Sequence, residues 1–119
     1  MIRVLVAADA VVMRAGLESL LSNHPELTVV ASSTHLATLA QQVEALQPDV
    51  IVLEWNQEEA LQEKLLRLGA VIEELNLVIL VDEPQGNWVT EAIRLGVRAV
   101  LPREATGEEI VATVIAAAT

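Results

Sequence analysis

The chain has 119 residues, no cysteine and a formal net charge of −10, which bounds it to one domain with a real core and no disulfide, thiolate metal site or cysteine nucleophile. The acidity argues against a grip on nucleic acid or an anionic membrane. No apolar run reaches membrane-spanning length, and the opening Met1-Ile2-Arg3-Val4-Leu5-Val6-Ala7-Ala8 meets Asp9 too soon for a signal peptide, so a soluble cytoplasmic domain is expected.

With 53% apolar residues but neither Phe nor Tyr, the core must be built from Val, Leu, Ile and Ala, which suits parallel strands buried on both faces. Residues 2–7 read as the first strand. Val12, Gly16, Leu17, Leu20 and Leu21 share one helical face, and that helix stops at Asn23-His24-Pro25 because Pro25 removes a donor and restricts His24. Residues 27–31 form the second strand. Ser32, Ser33 or Thr34 caps a second helix, in which Leu36, Leu39, Ala40, Val43 and Leu46 keep the i, i+3, i+4 rhythm.

Residues 50–53 are the third strand, and Glu54 stands at its C-terminal end. A third helix covers residues 57–68; Gly69 ends it or sits inside it, at a cost of about 1 kcal/mol. Residues 77–81 are the fourth strand, an unbroken aliphatic run. Residues 87–95 make a fourth helix closed by Gly96, and residues 98–101 a fifth strand. Thr106, followed by Gly107 and Glu108-Glu109, opens a fifth helix with capping-box spacing to Glu109. Five strands alternating with five helices form an open parallel sheet with right-handed crossovers.

In ordered positions the chain resembles the receiver domain of two-component response regulators, in particular the NarL-like class. The matching stretches are Arg3-Val4-Leu5-Val6-Ala7-Ala8-Asp9, Val12-Met13-Arg14-Ala15-Gly16-Leu17, Pro48-Asp49-Val50-Ile51-Val52-Leu53 and the run from Ala92 to Glu104. The resemblance covers nearly the whole chain. It implies a flavodoxin-like, CheY-like (βα)5 fold with strand order 2-1-3-4-5 and one receiver domain over residues 1–119. Any DNA-binding output domain then lies outside this sequence. It also implies a chemistry: two acids after strand one and an aspartate after strand three hold magnesium, which demands octahedral oxygen geometry. The aspartate accepts a phosphoryl group, a Thr or Ser after strand four bonds it, and a Lys after strand five neutralises it.

Most of that set is missing here. The acid pair is Ala8-Asp9, the acceptor position is Glu54, the hydroxyl position is Val81, the lysine position is Arg103 and the aromatic switch position is Val100. Asn56 stands where the family uses only a backbone carbonyl, and the loop after it is Gln57-Glu58-Glu59 rather than Met-Pro-Gly. Asp9 alone keeps its catalytic side chain. The expectation is a pseudo-receiver: no catalytic residue, no metal or other cofactor beyond weak or lost magnesium binding, and an acidic pocket of Asp9 and Glu54. Arg103 is expected to hold Glu54 through its planar fork, and Asp9 to cap the first helix.

Asp82 and Glu83 read as a solvated loop before Pro84, Asp49 as structural, and His24 and His35 as surface residues. Trp55 and Trp88 lie near the functional edge, where core packing and partner contact are both open. The fifth helix, apolar through Ile110, Val111, Ala112, Val114, Ile115, Ala116, Ala117 and Ala118, is expected to be buried on more than one side, with Ile115 a candidate for homodimer contact. The expected function is signalling through protein partners without phosphorylation. The alternatives are a working receiver with an unconventional acceptor and a small-molecule sensor using the pocket emptied by Ala8 and Val81. An unrelated flavodoxin-like enzyme fits poorly, because no Gly-rich phosphate loop is present.

Overall fold

A computed structural model describes residues 1–8, 10–33, 36–54, 76–82, 87–94 and 96–119. Its strands are β1 (Ile2–Ala7), β2 (Leu27–Ser33), β3 (Val50–Glu54), β4 (Leu77–Val81) and β5 (Ala99–Pro102). Its helices are α1 (Val11–Ser22), α2 (Leu36–Leu46), α3 (Asn87–Arg94) and α4 (Gly107–Ala117). The third predicted helix lies outside the described residues, so α3 and α4 are the fourth and fifth of the sequence reading. All five strands run parallel in the order β2-β1-β3-β4-β5. This is the doubly wound, flavodoxin-like arrangement.

The central strands are almost wholly aliphatic because they are covered on both faces. Every residue of β3 and β4 is buried. Side chains alternate across the sheet. Leu5, Ile51, Leu53, Leu77 and Ile79 pack with Leu39, Val43 and Ala92 of α2 and α3 on one face. Val4, Val6, Val50, Val52, Val78 and Leu80 pack with Leu17, Leu21, Ile110 and Val114 of α1 and α4 on the other. Each such burial stabilises by about 1.5–3 kcal/mol. Glu54 continues the parity of Val50 and Val52, so its carboxylate is directed toward the α1/α4 face.

The helix ends follow local chemistry. Thr106 accepts the Glu109 amide at 3.1 Å and donates its hydroxyl to the Glu109 carboxylate at 3.1 Å, a variant of the expected capping box. Gly96, at φ 110°, gives its amide to Ile93 O while Val97 gives its amide to Ala92 O, each at 3.1 Å. That is a Schellman closure, with Val97 and Ala92 both buried in the core, and a side chain at Gly96 would be strained. His24 accepts the Glu26 amide at Nδ1, so it shapes the turn into β2; His35 lies outside the described residues. Asp49 is structural as expected: it accepts the Arg3 amide at 2.8 Å, and Asn76 and Arg98 extend the same polar chain along the N-terminal edge of the sheet.

Several expectations are corrected. β2 runs on to Ser33, and the Ala8 amide bonds Ser33 O at 3.0 Å, so Ser32 and Ser33 are strand residues; the Ser33 hydroxyl meets that of Thr38 at 3.0 Å, and Thr34 lies outside the described residues. β5 begins and ends one residue later than expected and finishes on Pro102; it is an edge strand, where a missing donor is tolerated. The N-cap of α1 is Ala10, with no side-chain cap bond, so Asp9 does not hold that position; Asp9 itself lies outside the described residues. Val12 is 85% exposed, because the Val12–Gly16–Leu20 line of α1 meets α4 only at Leu20. A Cβ built on Gly107 would stand 2.8 Å from Leu20 Cδ1, so a larger residue there would require the Leu20 side chain to turn aside. Within the chain α4 buries one face, Ile110, Val114 and Ala117; Ala112 and Ala116 are exposed. Val111, Ile115 and Ala118 are half-buried against the same core cluster, so burial extends beyond that face and stops at Ala112 and Ala116. Among the described residues no helix is long and apolar enough to cross a membrane.

Candidate functional site

Parallel strands deliver their C-terminal ends to one edge of the sheet, where open α/β folds bind ligands. Four neighbouring strands, β1, β3, β4 and β5, bring Ala8, Glu54, Val81 and Arg103 there. β3 is buried over its whole length, so it carries Glu54 inward: the residue is 2% exposed, one of two buried polar residues among those described, with Ser33 the other. Arg103 sits in the turn between β5 and α4. Its amide bonds Val81 O at 2.8 Å, which ties this turn to the end of β4.

The expected Glu54–Arg103 pair is present. Arg103 Nη2 lies 2.5 Å from Glu54 Oε1, with side-chain exposures of 22% and 1%. The fork is not bidentate on one carboxylate, however. Its other arm, Nη1, lies 2.9 Å from Asp82 Oδ1. Asp82 is exposed, as the solvated-loop reading expects, and is also paired with Arg103; Glu83 lies outside the described residues. The register Val81↔Pro102 places the next residues of the two strands, Asp82 and Arg103, side by side. Placing β5 one residue too early in the sequence hides that juxtaposition.

The remaining expected positions divide. Ala8 and Val81 are buried, at 3% and 5% exposure, and offer a methyl and an isopropyl group where the resemblance implies a carboxylate and a hydroxyl. Ala8 O accepts Arg14 Nη1 at 3.2 Å, so a second guanidinium, to which the sequence alone gives no role, stands at the end of β1. Val100 is half-buried against the α2/α3 side of the core. Ile115 is half-buried on α4, beside a groove shared with Leu20, His24, Val111 and Ala112. Trp55 and Asn56 lie outside the described residues, and of Trp88 only its place in the first turn of α3 is described. Among the described residues no group of three His, Asp or Glu side chains is arranged to hold a metal ion. A cleft of 520 Å³ runs between α1 and α4, walled by Val12, Met13, Leu17 and Ile110 and closed at its inner end by Glu54 and Arg103.

No family model matches the chain, and no curated protein matches it. Solved structures do. The signal receiver domain of the response regulator NarL from Mycobacterium tuberculosis is 23% identical with a TM-score of 0.86, over 98% of this chain and 95% of that one. A LuxR-family two-component response regulator from Aurantimonas sp. SI85-9A1 is 18% identical with a TM-score of 0.87, over 99% and 85%. The response regulator domain of Thermotoga maritima CheB is 20% identical with a TM-score of 0.86, over 99% and 96%. The fold of this chain is therefore that of the response-regulator receiver domains.

Proposed function

We propose that this chain is a pseudo-receiver: a cytoplasmic signalling domain that works through protein partners with its phosphorylation input replaced by a permanent internal charge. The observation that carries the reading is the buried Glu54 carboxylate at the end of β3, already joined to Arg103. A carboxylate held by arginine is poorly placed to attack an external donor. The residues also do not fit a magnesium ion: Ala8 has no oxygen in its side chain, and Arg103 occupies Glu54 Oε1. The expected result of incubation with acetyl phosphate and magnesium is an unchanged intact mass. A stoichiometric gain of one phosphoryl group would overturn the reading and restore a working receiver with an unconventional acceptor.

The partner surface in this reading is the outer flank of α4. Val111, Ala112 and Ile115 line a groove there with Leu20 and His24, and twofold pairing is the commonest way to cover such a surface. Two copies at −10 each repel, so association should strengthen as salt rises. Sedimentation is expected to show a dimer at high concentration and a monomer for Ile115→Asp. A wild-type monomer throughout would remove the homodimer from the proposal. The acidity argues against direct nucleic-acid or membrane contact by the domain. A second reading, small-molecule sensing, is favoured by the apolar cleft between α1 and α4. Co-purification of a stoichiometric ligand, lost on Gly16→Leu, would support it over the first.

A further inference from the structure

Three hydrogen bonds meet at His24, in the turn from α1 into β2. Its amide donates to Leu21 O at 3.2 Å, its carbonyl accepts the Leu27 amide at 3.1 Å, and its Nδ1 accepts the Glu26 amide at 3.2 Å. Pro25 has no amide hydrogen, so Glu26 offers the next donor along the chain. The Glu26 carbonyl accepts the Ile2 amide at 2.8 Å, which joins this turn to the start of β1.

A side-chain acceptor bonded to the amide two residues on is ordinarily supplied by Asn or Asp. An imidazole in that role differs in one respect. It accepts at Nδ1 only while neutral, with its proton on Nε2; once protonated, both nitrogens are donors. A protonated Nδ1 would meet the Glu26 amide donor to donor. The ring is half-buried and lines the groove formed with Leu20, Val111, Ala112 and Ile115. The ionisable groups carried by the elements around it are acids, Glu26 in the turn itself and Glu108 in the first turn of α4 on the same groove. Both carboxylates favour a cation nearby, but neither restores the lost acceptor.

We propose that His24 is a proton-operated latch on the partner groove. Neutral, it pins the turn and presents an uncharged ring to the groove. Protonated, it releases the Glu26 amide and sets a cation in an apolar surface, where losing water disfavours charge. The latch stands on the hydrogen bond, whereas its effect on association rests on the reading of the outer flank of α4 as a homodimer surface.

The test uses the whole chain at about pH 7.5 and about pH 5.5, on either side of the ordinary imidazole range. Ring nitrogen shifts measured by NMR are expected to show the Nε2–H tautomer at the higher pH and the imidazolium at the lower. The Glu26 amide, corrected for intrinsic exchange, should lose protection about two- to tenfold on acidification, the span of one hydrogen bond's net contribution. His24→Asn keeps an acceptor at the same position and does not titrate, so its Glu26 amide should hold its protection. His24→Ala should show the low protection at both pH values. An Nδ1–H tautomer, a ring still neutral at the lower pH, or a Glu26 amide that responds alike in wild type and His24→Asn would overturn the latch.

Sedimentation of the same proteins reads the groove. Acidification lowers the net negative charge of every variant and favours association, but the wild type should gain about two- to tenfold less than His24→Asn. Equal gains would overturn the link between latch and groove. A wild type that stays monomeric at both pH values would instead defeat the homodimer reading, and the tautomer and the Glu26 amide would still decide the latch.

Discussion

Replacing Arg103 by methionine is expected to cost about 3–5 kcal/mol of folding stability, the loss typical when one member of a buried ion pair is removed. The physical reason is the environment of Glu54. Its strand neighbours are aliphatic and its side chain is 1% exposed, so without the arginine its charge is left in a largely apolar setting. The companion variant makes the test specific. Glu54→Leu combined with Arg103→Leu removes the charge and its partner together, and should recover most of the loss, because apolar replacements of buried pairs are often neutral or better. Urea unfolding followed by circular dichroism measures both. A loss below about 1 kcal/mol for Arg103→Met would class the pair with surface salt bridges and remove its structural weight. Asp82→Asn, at the exposed arm, should change global stability far less.

The second large effect is a gain of chemistry. Reinstalling the implied receiver set, by Ala8→Asp, Glu54→Asp, Val81→Thr and Arg103→Lys together, is expected to turn an unreactive chain into one that takes a phosphoryl group from acetyl phosphate with magnesium. Each single change should do nothing measurable. Magnesium needs several correctly placed oxygens at once, and a nucleophile displaced by a methylene loses the alignment on which in-line attack depends. The positions are adjacent in space: the register places Ala7 beside Leu53, Glu54 beside Leu80 and Val81 beside Pro102, so the four changes converge on one edge. A quadruple variant that folds but stays unlabelled would trace the loss to the replaced loop, Gln57-Glu58-Glu59.

The strands were legible in the residues because burial on both faces leaves a mark that needs no partner to be seen. The runs from Val50 and from Leu77 have no polar residue until they reach the functional edge, and only a doubly covered strand tolerates that. The Thr106 cap and the Gly96 stop were equally readable, since each depends on bonds within a few residues. The pairing of Glu54 with Arg103 was accessible through the resemblance, which set opposite charges at two converging positions.

What the residues could not reveal depends on distances between segments far apart in the chain. Asp82 looks like any loop acid until the register of β4 on β5 sets it beside Arg103, and only then does the guanidinium divide between two carboxylates. Val12 fits the apolar face of α1 by periodicity, yet it is exposed because the Gly107–Leu20 approach brings α4 against the later turn of α1. Ser33, one of three candidate helix caps by sequence, proves to be the last residue of β2, its carbonyl accepting the Ala8 amide. In each case local pattern sets what a side chain can do. Competition among long-range partners, through packing and charge, selects which of those options is realised.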